Sequence, residues 1–198
     1  MSAEPFLPKR PTLPALAEAL QCCRGCPLYA NATQAVFGEG RRSARIMLVG
    51  KQPGDQEDRA GTPFVGPAGQ LLDRALDAAG IDRKETYVTN AVKHFKWKPR
   101  GPRRIHDKPS WSEQLACRPW LDAELAVIKP EVLILLGATA AQTLLGRSFR
   151  VTRDRGHVPH SDLAKTVIAT IHPSAILRSR DRDEMFRGLV ADLTLASR

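Results

Sequence analysis

The sequence lacks any long hydrophobic run. No segment approaches the roughly 18 consecutive apolar residues that mark a membrane-spanning helix, although 42% of the 198 residues are hydrophobic. Residues 1–14 contain no apolar stretch of the kind found in secretion signals. We therefore expect a cytoplasmic protein with no membrane partner. Repeats and low-complexity tracts are also missing, and the length predicts one domain over residues 1–198, with residues 1–14 as a flexible lead-in.

Acidic residues are few compared with basic ones. The chain has 21 Asp and Glu against 30 Lys and Arg, which gives a net charge of +9. Such a surplus favours polyanionic partners. Seven basic residues fall between Lys93 and Lys108, in a stretch without helical or strand periodicity that also holds Phe95 and Trp97. Charges that follow phosphates and rings that stack on bases suit single-stranded DNA, so residues 93–111 are predicted to form a basic DNA-binding loop.

Cysteines are also few, and disulfides are not expected in a chain without an export signal. Cys23 and Cys26 have the C-x2-C spacing of two ligands to one metal centre. Cys117, on a predicted helix, could supply a third ligand. The fourth would be either Cys22 or His94, and the composition alone does not separate an iron–sulfur cluster from zinc.

Short apolar runs alternate with helical patterns along the chain. Runs at residues 44–49, 86–92, 132–136 and 166–171 predict buried parallel strands. Helical patterns cover residues 15–21, 70–79, 112–128, 139–145 and 182–196. This alternation predicts an α/β fold, a three-layer α/β/α sandwich with a central four-stranded parallel sheet.

Unusual residues follow each of the four predicted strands. Residues 50–69, with five glycines and three prolines, follow the first strand. Asn90, Gly137 and His172 lie at the ends of the other three. Because ligands bind at the carboxyl edge of a parallel sheet, this edge is the predicted site.

Several motifs in one order along the chain resemble those of the uracil-DNA glycosylase superfamily. They are Cys23-x2-Cys26 and residues 52–58 (QPGDQED), 63–69 (PFVGPAG), 89–93 (TNAVK), 103–110 (RRIHDKPS), 117–121 (CRPWL), 136–140 (LGATA) and 172–174 (HPS). The resemblance covers residues 16 to 195. It is to the iron–sulfur family 4 branch, and within it to the UdgX-type proteins, which bind uracil-DNA covalently.

The resemblance implies a metal cofactor. UdgX-type proteins have a histidine where family 4 enzymes have a third cysteine, and His94 stands at that position. A [4Fe-4S] cluster would then be held by Cys23, Cys26, His94 and Cys117, with Cys22 as a bystander. The resemblance also implies a monomer that acts on uracil-containing DNA, preferably single-stranded.

Excising uracil requires the nucleotide to leave the base stack and enter a pocket. Phe64 could stack on the flipped ring, and Asn90 could pair with uracil N3–H and O4, which cytosine cannot match. His172 could donate a hydrogen bond to uracil O2 as negative charge develops. The predicted uracil-binding residues are Gln52, Gly54, Asp55, Phe64, Asn90 and His172.

The resemblance to UdgX-type proteins assigns His106 as a nucleophile. Its imidazole would attack the sugar C1′ and leave a covalent histidine–DNA adduct after uracil departs, so that each molecule reacts once. The predicted catalytic residues are His106, His172, Lys51 and Asp58. The predicted DNA contacts are Lys93, Lys96, Arg103, Arg104, Lys108, Ser174 and Arg178.

Lys51 departs from the family, in which an acid, usually Glu, follows Gly50. An ammonium group repels the positive charge that develops on the sugar. The sequence leaves three roles open for Lys51: a slowed reaction through His106, a phosphate contact, or an amine nucleophile. Two alternative functions also follow, an ordinary turnover glycosylase and a catalytically weakened iron–sulfur module that binds uracil-DNA.

Overall fold

The computed structural model describes residues 1–158 and 161–196. The strands in these residues are β1 (Glu39–Gly40), β2 (Ile46–Gly50), β3 (Thr86–Asn90), β4 (Trp97–Arg100), β5 (Arg103–His106), β6 (Val132–Leu136), β7 (Gly156–His157) and β8 (Thr166–Thr170). The α-helices are α1 (Leu13–Leu20), α2 (Asp55–Ala60), α3 (Pro67–Ala78), α4 (Trp111–Ile128), α5 (Gly137–Leu145), α6 (Val151–Asp154), α7 (Pro173–Arg178) and α8 (Arg182–Thr194). Short 3₁₀ turns occupy Glu4–Phe6, Pro27–Ala30 and Arg83–Glu85.

Four parallel strands form the centre of the main sheet, in the order β3-β2-β6-β8. The predicted α/β/α sandwich around a parallel sheet is therefore confirmed. The sheet is wider than predicted, because β1 and β7 add antiparallel edges to β3 and β8. Each of these edge strands has only two residues, too few to carry an alternating pattern in the sequence.

Helices cover both faces of the sheet because successive strand residues point in opposite directions. On one face Leu48 and Ile134 pack with residues of α3 and α8, including Leu72 and Leu189. On the other face Met47, Leu133 and Leu135 pack with residues of α4 and α5. A third cluster joins α1 and α4 to the buried cysteines. This core fixes the carboxyl ends of the parallel strands at one edge.

Part of the predicted basic loop is a β-hairpin. Strands β4 and β5 pair antiparallel, with Trp97 opposite His106. The absence of strand periodicity from this stretch did not reveal these two strands. The hairpin is held by a tertiary contact, since the Trp97 indole Nε1 donates to the carbonyl of Asn31 at 2.8 Å. Strand periodicity does not report such a contact.

The predicted lead-in also differs from the structure. Ala3 is buried, and its N–H donates to the carbonyl of Ala116 at 2.8 Å. Gly25 makes this packing possible, because a side chain there would lie 2.6 Å from the Ala3 backbone. The start of the chain thus packs on α4, and a flexible lead-in does not describe it.

Helix α4 has 18 residues, and Ser110 caps its N-terminus. The Ser110 hydroxyl accepts from the Glu113 N–H, and the Glu113 carboxylate accepts in return from the Ser110 N–H. This capping box satisfies amides that the first turn leaves free.

Across residues 1–158 and 161–196, no helix is long and apolar enough to span a bilayer.

Candidate active site

A cavity of about 140 Å³ opens at the carboxyl edge of the sheet. It is lined by Lys51, Gln52, Gly54, Glu57, Phe64, Ala68, Asn90, His106, His172, Ser174 and Arg178. Nine of these eleven residues belong to the set chosen from the sequence. Glu57 and Ala68 do not.

Glu57 shapes the loop that follows β2. One carboxylate oxygen accepts from the Gly54 N–H at 3.0 Å, and the other accepts from the Gly66 N–H at 2.8 Å. Glu57 thus ties the start of α2 to the start of α3 and narrows the cavity between them. The sequence signal for this role was the three-residue spacing from Gly54, which is that of a capping box.

Phe64 forms one wall of the cavity and has an unusual backbone. Its φ is +58°, a left-handed conformation that a phenylalanine rarely adopts. Gly69 permits it, because a side chain there would lie 1.7 Å from the Phe64 carbonyl oxygen. Gly50 leaves room for the ring, since its added Cβ would lie 2.6 Å from Phe64 Cζ. A strained residue held in place by two glycines indicates a fixed stacking surface.

Asn90 ends β3 directly opposite Gly50. The residue is only 3% exposed, yet its side-chain amide makes no hydrogen bond to any of the described residues. The amide therefore keeps both its donor and its acceptor for a partner in the cavity. Local backbone capping, the ordinary role of a strand-end asparagine, does not occur here.

His172 precedes α7 and presents its other ring edge to the cavity. Its Nδ1 accepts from the Ser174 N–H at 3.1 Å, so that a neutral ring carries its hydrogen on Nε2. Burial, with Lys51 as the next cause, lowers the pKa of His172 to about 3. The ring stacks near Phe64, with centroids 6.2 Å apart. His172 is thus a neutral hydrogen-bond donor at neutral pH.

His106, the last residue of β5, lies at the cavity mouth beside Lys51 and Gln52. Lys51 Nζ lies 3.3 Å from His106 Nδ1, and Gln52 Nε2 lies 2.9 Å from His106 Nε2. Burial and the nearby charges of Lys51 and Arg178 lower the pKa of His106 to about 4. The imidazole is therefore neutral at pH 7.

Two acids of the predicted set lie outside the cavity lining. Asp58 is fully buried and accepts from the Thr33 N–H and from Arg104, while Asp55 pairs with Arg59 and Arg104. Arg104 in turn stacks over the Phe95 ring at 5.3 Å. Asp55, Asp58 and Arg104 thus fasten the hairpin to α2. The predictions of a catalytic role for Asp58 and of a phosphate contact for Arg104 are corrected, because these two side chains pair with each other. The uracil contact predicted for Asp55 concerns its backbone amide and stays a prediction.

Lys93 is the clearest error among the predicted DNA contacts. It is 0% exposed and forms an ion pair with Glu124, itself fully buried. The basic stretch is also not uniform, because Lys96 pairs with Glu113 at 2.9 Å and Phe95 is in the core. Arg103, Lys108 and Arg178 are exposed and have no carboxylate partner in the described part of the chain. These three remain available to phosphates.

Three of the four cysteines, Cys23, Cys26 and Cys117, lie in the cluster between α1 and α4. Cys23, Cys26 and Cys117 are buried and close enough for their charges to interact. Burial raises the pKa of Cys117 to about 12. The Trp120 indole donates to Cys23 Sγ at 3.2 Å, and the Lys93 N–H donates to Cys117 Sγ at 3.3 Å.

His94 lies next to these thiols. It lines a second cavity together with Cys22 and Cys23. Burial lowers the pKa of His94 to about 4, and its ring makes no hydrogen bond within the described ranges. No three His, Cys, Asp or Glu side chains converge on one point for a single metal ion in the residues described.

The fold and this cavity define an α/β protein with a base-sized site at the edge of a parallel sheet. The profile of the Uracil DNA glycosylase superfamily matches residues 37–194. The chain is 39% identical over 182 residues to the type-4 uracil-DNA glycosylase of Thermotoga maritima, covering 91% of each protein. The type-4 enzyme of Pyrobaculum aerophilum is 38% identical over 170 residues, covering 82% of this chain and 83% of that one. The chain therefore belongs to the uracil-DNA glycosylase superfamily.

Proposed function

We propose that the protein is a uracil-DNA glycosylase that binds a flipped uracil in the cavity beside Asn90. The unpaired Asn90 amide carries this proposal. Its oxygen can accept from uracil N3–H and its nitrogen can donate to uracil O4, with the Phe64 ring stacked on the base. Cytosine presents the opposite pattern and would leave both buried groups unpaired. The type-4 relatives, named as uracil-DNA glycosylases, support the same substrate.

His172 stabilises the uracil leaving group by donating a hydrogen bond. When the bond between uracil N1 and the sugar C1′ breaks, its electrons pass to the uracil ring and charge gathers on O2. The Nε2–H of neutral His172 can donate to that oxygen, and the donor is already oriented by Ser174. Because the pKa of His172 lies at about 3, the ring donates a hydrogen bond without first binding a second proton.

His106 then takes the place of water. A neutral imidazole at the cavity mouth can bond to C1′ as uracil leaves, and an N-alkylated imidazole has no easy reverse step. The product would be a covalent histidine–DNA adduct and a single turnover for each molecule. The exposed Arg103, Lys108 and Arg178 would hold the phosphates on either side, preferentially on a flexible single strand.

A denaturing gel tests this reaction. The protein is incubated with end-labelled single-stranded DNA that contains one uracil, or thymine at the same position, and then boiled in SDS. We expect a shifted band with uracil alone, and none with His106→Ala. Uracil release with alkali-cleavable DNA and no shifted band would instead identify a turnover glycosylase. Tight binding without uracil release would identify a binding module.

We also propose that Cys23, Cys26, Cys117 and His94 hold a [4Fe-4S] cluster. In such a cluster each ligand binds a different iron, so the four side chains surround a space and do not converge on one point. Three adjacent buried thiols, N–H donors to two of the sulfurs, and a buried imidazole without a hydrogen bond fit that donor set. When bound, the cluster would cross-link the α1 region to α4 and the start of the hairpin.

Iron content distinguishes the two candidates for the fourth ligand. His94 is buried and Cys22 is exposed. We therefore expect His94→Ala to lose iron and visible absorbance, and Cys22→Ala to keep both. The reverse result would assign Cys22, and zinc without iron in the unaltered protein would reject the cluster.

A further inference from the structure

Lys51 and Gln52 both contact the His106 ring: Lys51 Nζ lies 3.3 Å from Nδ1, and Gln52 Nε2 lies 2.9 Å from Nε2 and 3.4 Å from Nδ1. The Gln52 amide is oriented by the backbone: its nitrogen reaches the carbonyls of Lys96 and Asp107 at 3.1 and 3.0 Å, and its oxygen accepts from the Lys96 N–H at 3.4 Å. The group that faces His106 Nε2 at 2.9 Å is therefore an amide nitrogen, which accepts no hydrogen bond and whose two hydrogens reach the two carbonyls. An Nε2–H would find no acceptor there, which favours the ring form in which Nε2 is unprotonated and Nδ1 carries the hydrogen.

With the hydrogen on Nδ1, Lys51 must act as a hydrogen-bond acceptor. An Nδ1–H needs an acceptor, and Lys51 Nζ at 3.3 Å is its neighbour. A neutral amine accepts a hydrogen bond, whereas an ammonium only donates. With Lys51 charged, the ring must carry its proton on Nε2, which faces the Gln52 amide nitrogen, a group that accepts no hydrogen bond. A neutral Lys51 fits the contacts of the ring better than an ammonium does.

The surroundings of Lys51 favour the neutral amine. Among the described residues Lys51 forms no ion pair, and Glu57 uses both oxygens on backbone amides. Burial, followed by the charges of Arg178 and Lys108, lowers the pKa of Lys51 to about 8, against a smaller opposing effect of Asp107. The groups facing Lys51 are His106, Asp107, Lys108, His172 and Arg178.

We propose that Lys51 is the proton acceptor for His106 during covalent capture, taking the place that an acid holds in related proteins. This inference rests on the proposed function. As His106 Nε2 bonds to C1′, the bond from C1′ to uracil N1 breaks and its electron pair leaves with uracil. The Nδ1 proton passes to the Lys51 amine. The products are a neutral alkylated imidazole, a lysine ammonium and a uracil anion, so protons and charge balance.

The rate of capture should therefore follow the neutral fraction of Lys51. His106 and His172 have pKa values of about 4 and about 3, so neither titrates near pH 8. Below the pKa of Lys51 the rate should rise about tenfold per pH unit, and it should level off above about pH 8. An acid at this position would be deprotonated throughout that range and would give a flat profile.

The experiment measures the rate of SDS-stable adduct formation from about pH 6 to about pH 10 with DNA at saturating concentration. Lys51→Met removes the acceptor and keeps the length of the side chain. We expect it to abolish the pH step and to lower the plateau at least tenfold. Lys51→Glu should capture uracil-DNA with no step in this range. Lys108→Met, which removes a neighbouring cation, should keep the step and move it to higher pH.

The outcomes separate this inference from the function on which it rests. Adduct formation with the same pH profile in the unaltered protein and in Lys51→Met would overturn the role of Lys51 and leave covalent capture intact. No adduct at any pH would overturn covalent capture itself. An adduct that persists in His106→Ala but is lost in Lys51→Met would make Lys51 the nucleophile.

Discussion

Two lysines near adjacent strand ends have opposite environments. Lys93 is completely buried, and its Nζ donates to Glu124 and to the Thr89 hydroxyl. Glu124 also accepts from the Tyr87 hydroxyl at 2.8 Å, and burial together with this carboxylate raises the pKa of Tyr87. Every polar group in this network has a partner.

Lys51 lies in the cavity with no carboxylate among the described residues to pair with, and its near neighbours include Arg178 and Lys108. Within residues 1–158 and 161–196, its only hydrogen-bond contact with a side chain is to His106. A buried charge with a full set of partners stabilises one structure, whereas an unpaired amine beside a nucleophile is ready to change its protonation state. The contrast places Lys93 in the core and supports the role that we propose for Lys51.

The sharpest test of this contrast is stability. Glu124→Ala leaves the Lys93 ammonium buried without a carboxylate and should cost about 3–5 kcal/mol of unfolding free energy. Lys51→Met removes a cation whose pKa is lowered by burial, and it should therefore cause no loss of unfolding free energy. Urea denaturation of the proteins as purified measures both. If Glu124→Ala does not fold, a Lys93→Met/Glu124→Leu double variant should recover folding. Equal losses at the two lysines would contradict the distinction.

The next largest effect concerns the choice of substrate by Asn90, the last residue of β3. Asn90→Ala removes both hydrogen bonds to the uracil edge, and we expect the second-order rate of uracil capture to fall about 10–100-fold. Adduct formation at sub-saturating uracil-DNA, compared with thymine- and cytosine-containing strands, provides the measurement. An unchanged preference for uracil over cytosine would mean that another group reads the base.

The sequence predicted the parallel sheet and the edge at which the site forms. Apolar runs bounded by glycine, proline or asparagine define strands whatever their partners are, so the four central strands follow from periodicity. Residues that come directly after those strands, such as Asn90 and His172, must then meet at one edge. These parts of the structure depend on local pattern and on topology.

Pairing between distant charges could not be predicted in the same way. Lys93 and Arg104 occupy a basic stretch, and composition predicts that such residues face solvent. Their partners, Glu124 and Asp58, lie 31 and 46 positions away. Only the packed fold brings these groups together. Lys93 and Arg104, predicted to contact DNA, therefore form ion pairs within the protein.

A third and smaller effect should separate positioning from DNA binding within the hairpin. Arg104 and His106 are two residues apart on β5, and therefore lie on the same face of the strand. Arg104→Met should release the hairpin from Asp55 and Asp58 and slow adduct formation about tenfold at saturating DNA, an effect of misplacing the nucleophile.

Arg103→Met is the matched control for Arg104→Met. Arg103 is the neighbouring arginine of β5 and has no carboxylate partner within the described ranges. Its loss should weaken DNA binding and reduce the salt slope by about one, while the rate at saturating DNA stays unchanged. Identical effects of the two substitutions would mean that Arg104 also serves as a phosphate contact.

The last effect is the response of the cavity to acid. Because the pKa of His172 is lowered to about 3 in the folded protein, the unfolded chain binds a proton near pH 6.5 that the folded chain does not. Stability should therefore decrease as the pH falls from about 6.5 toward about 3, by up to about 2 kcal/mol at pH 5 for this one group. In urea denaturation at pH 7 and pH 5, His172→Gln should lose less stability than the unaltered protein. The same loss in both would mean that the fold accepts a charged ring at this position, and His172 would then not be held neutral for the reaction.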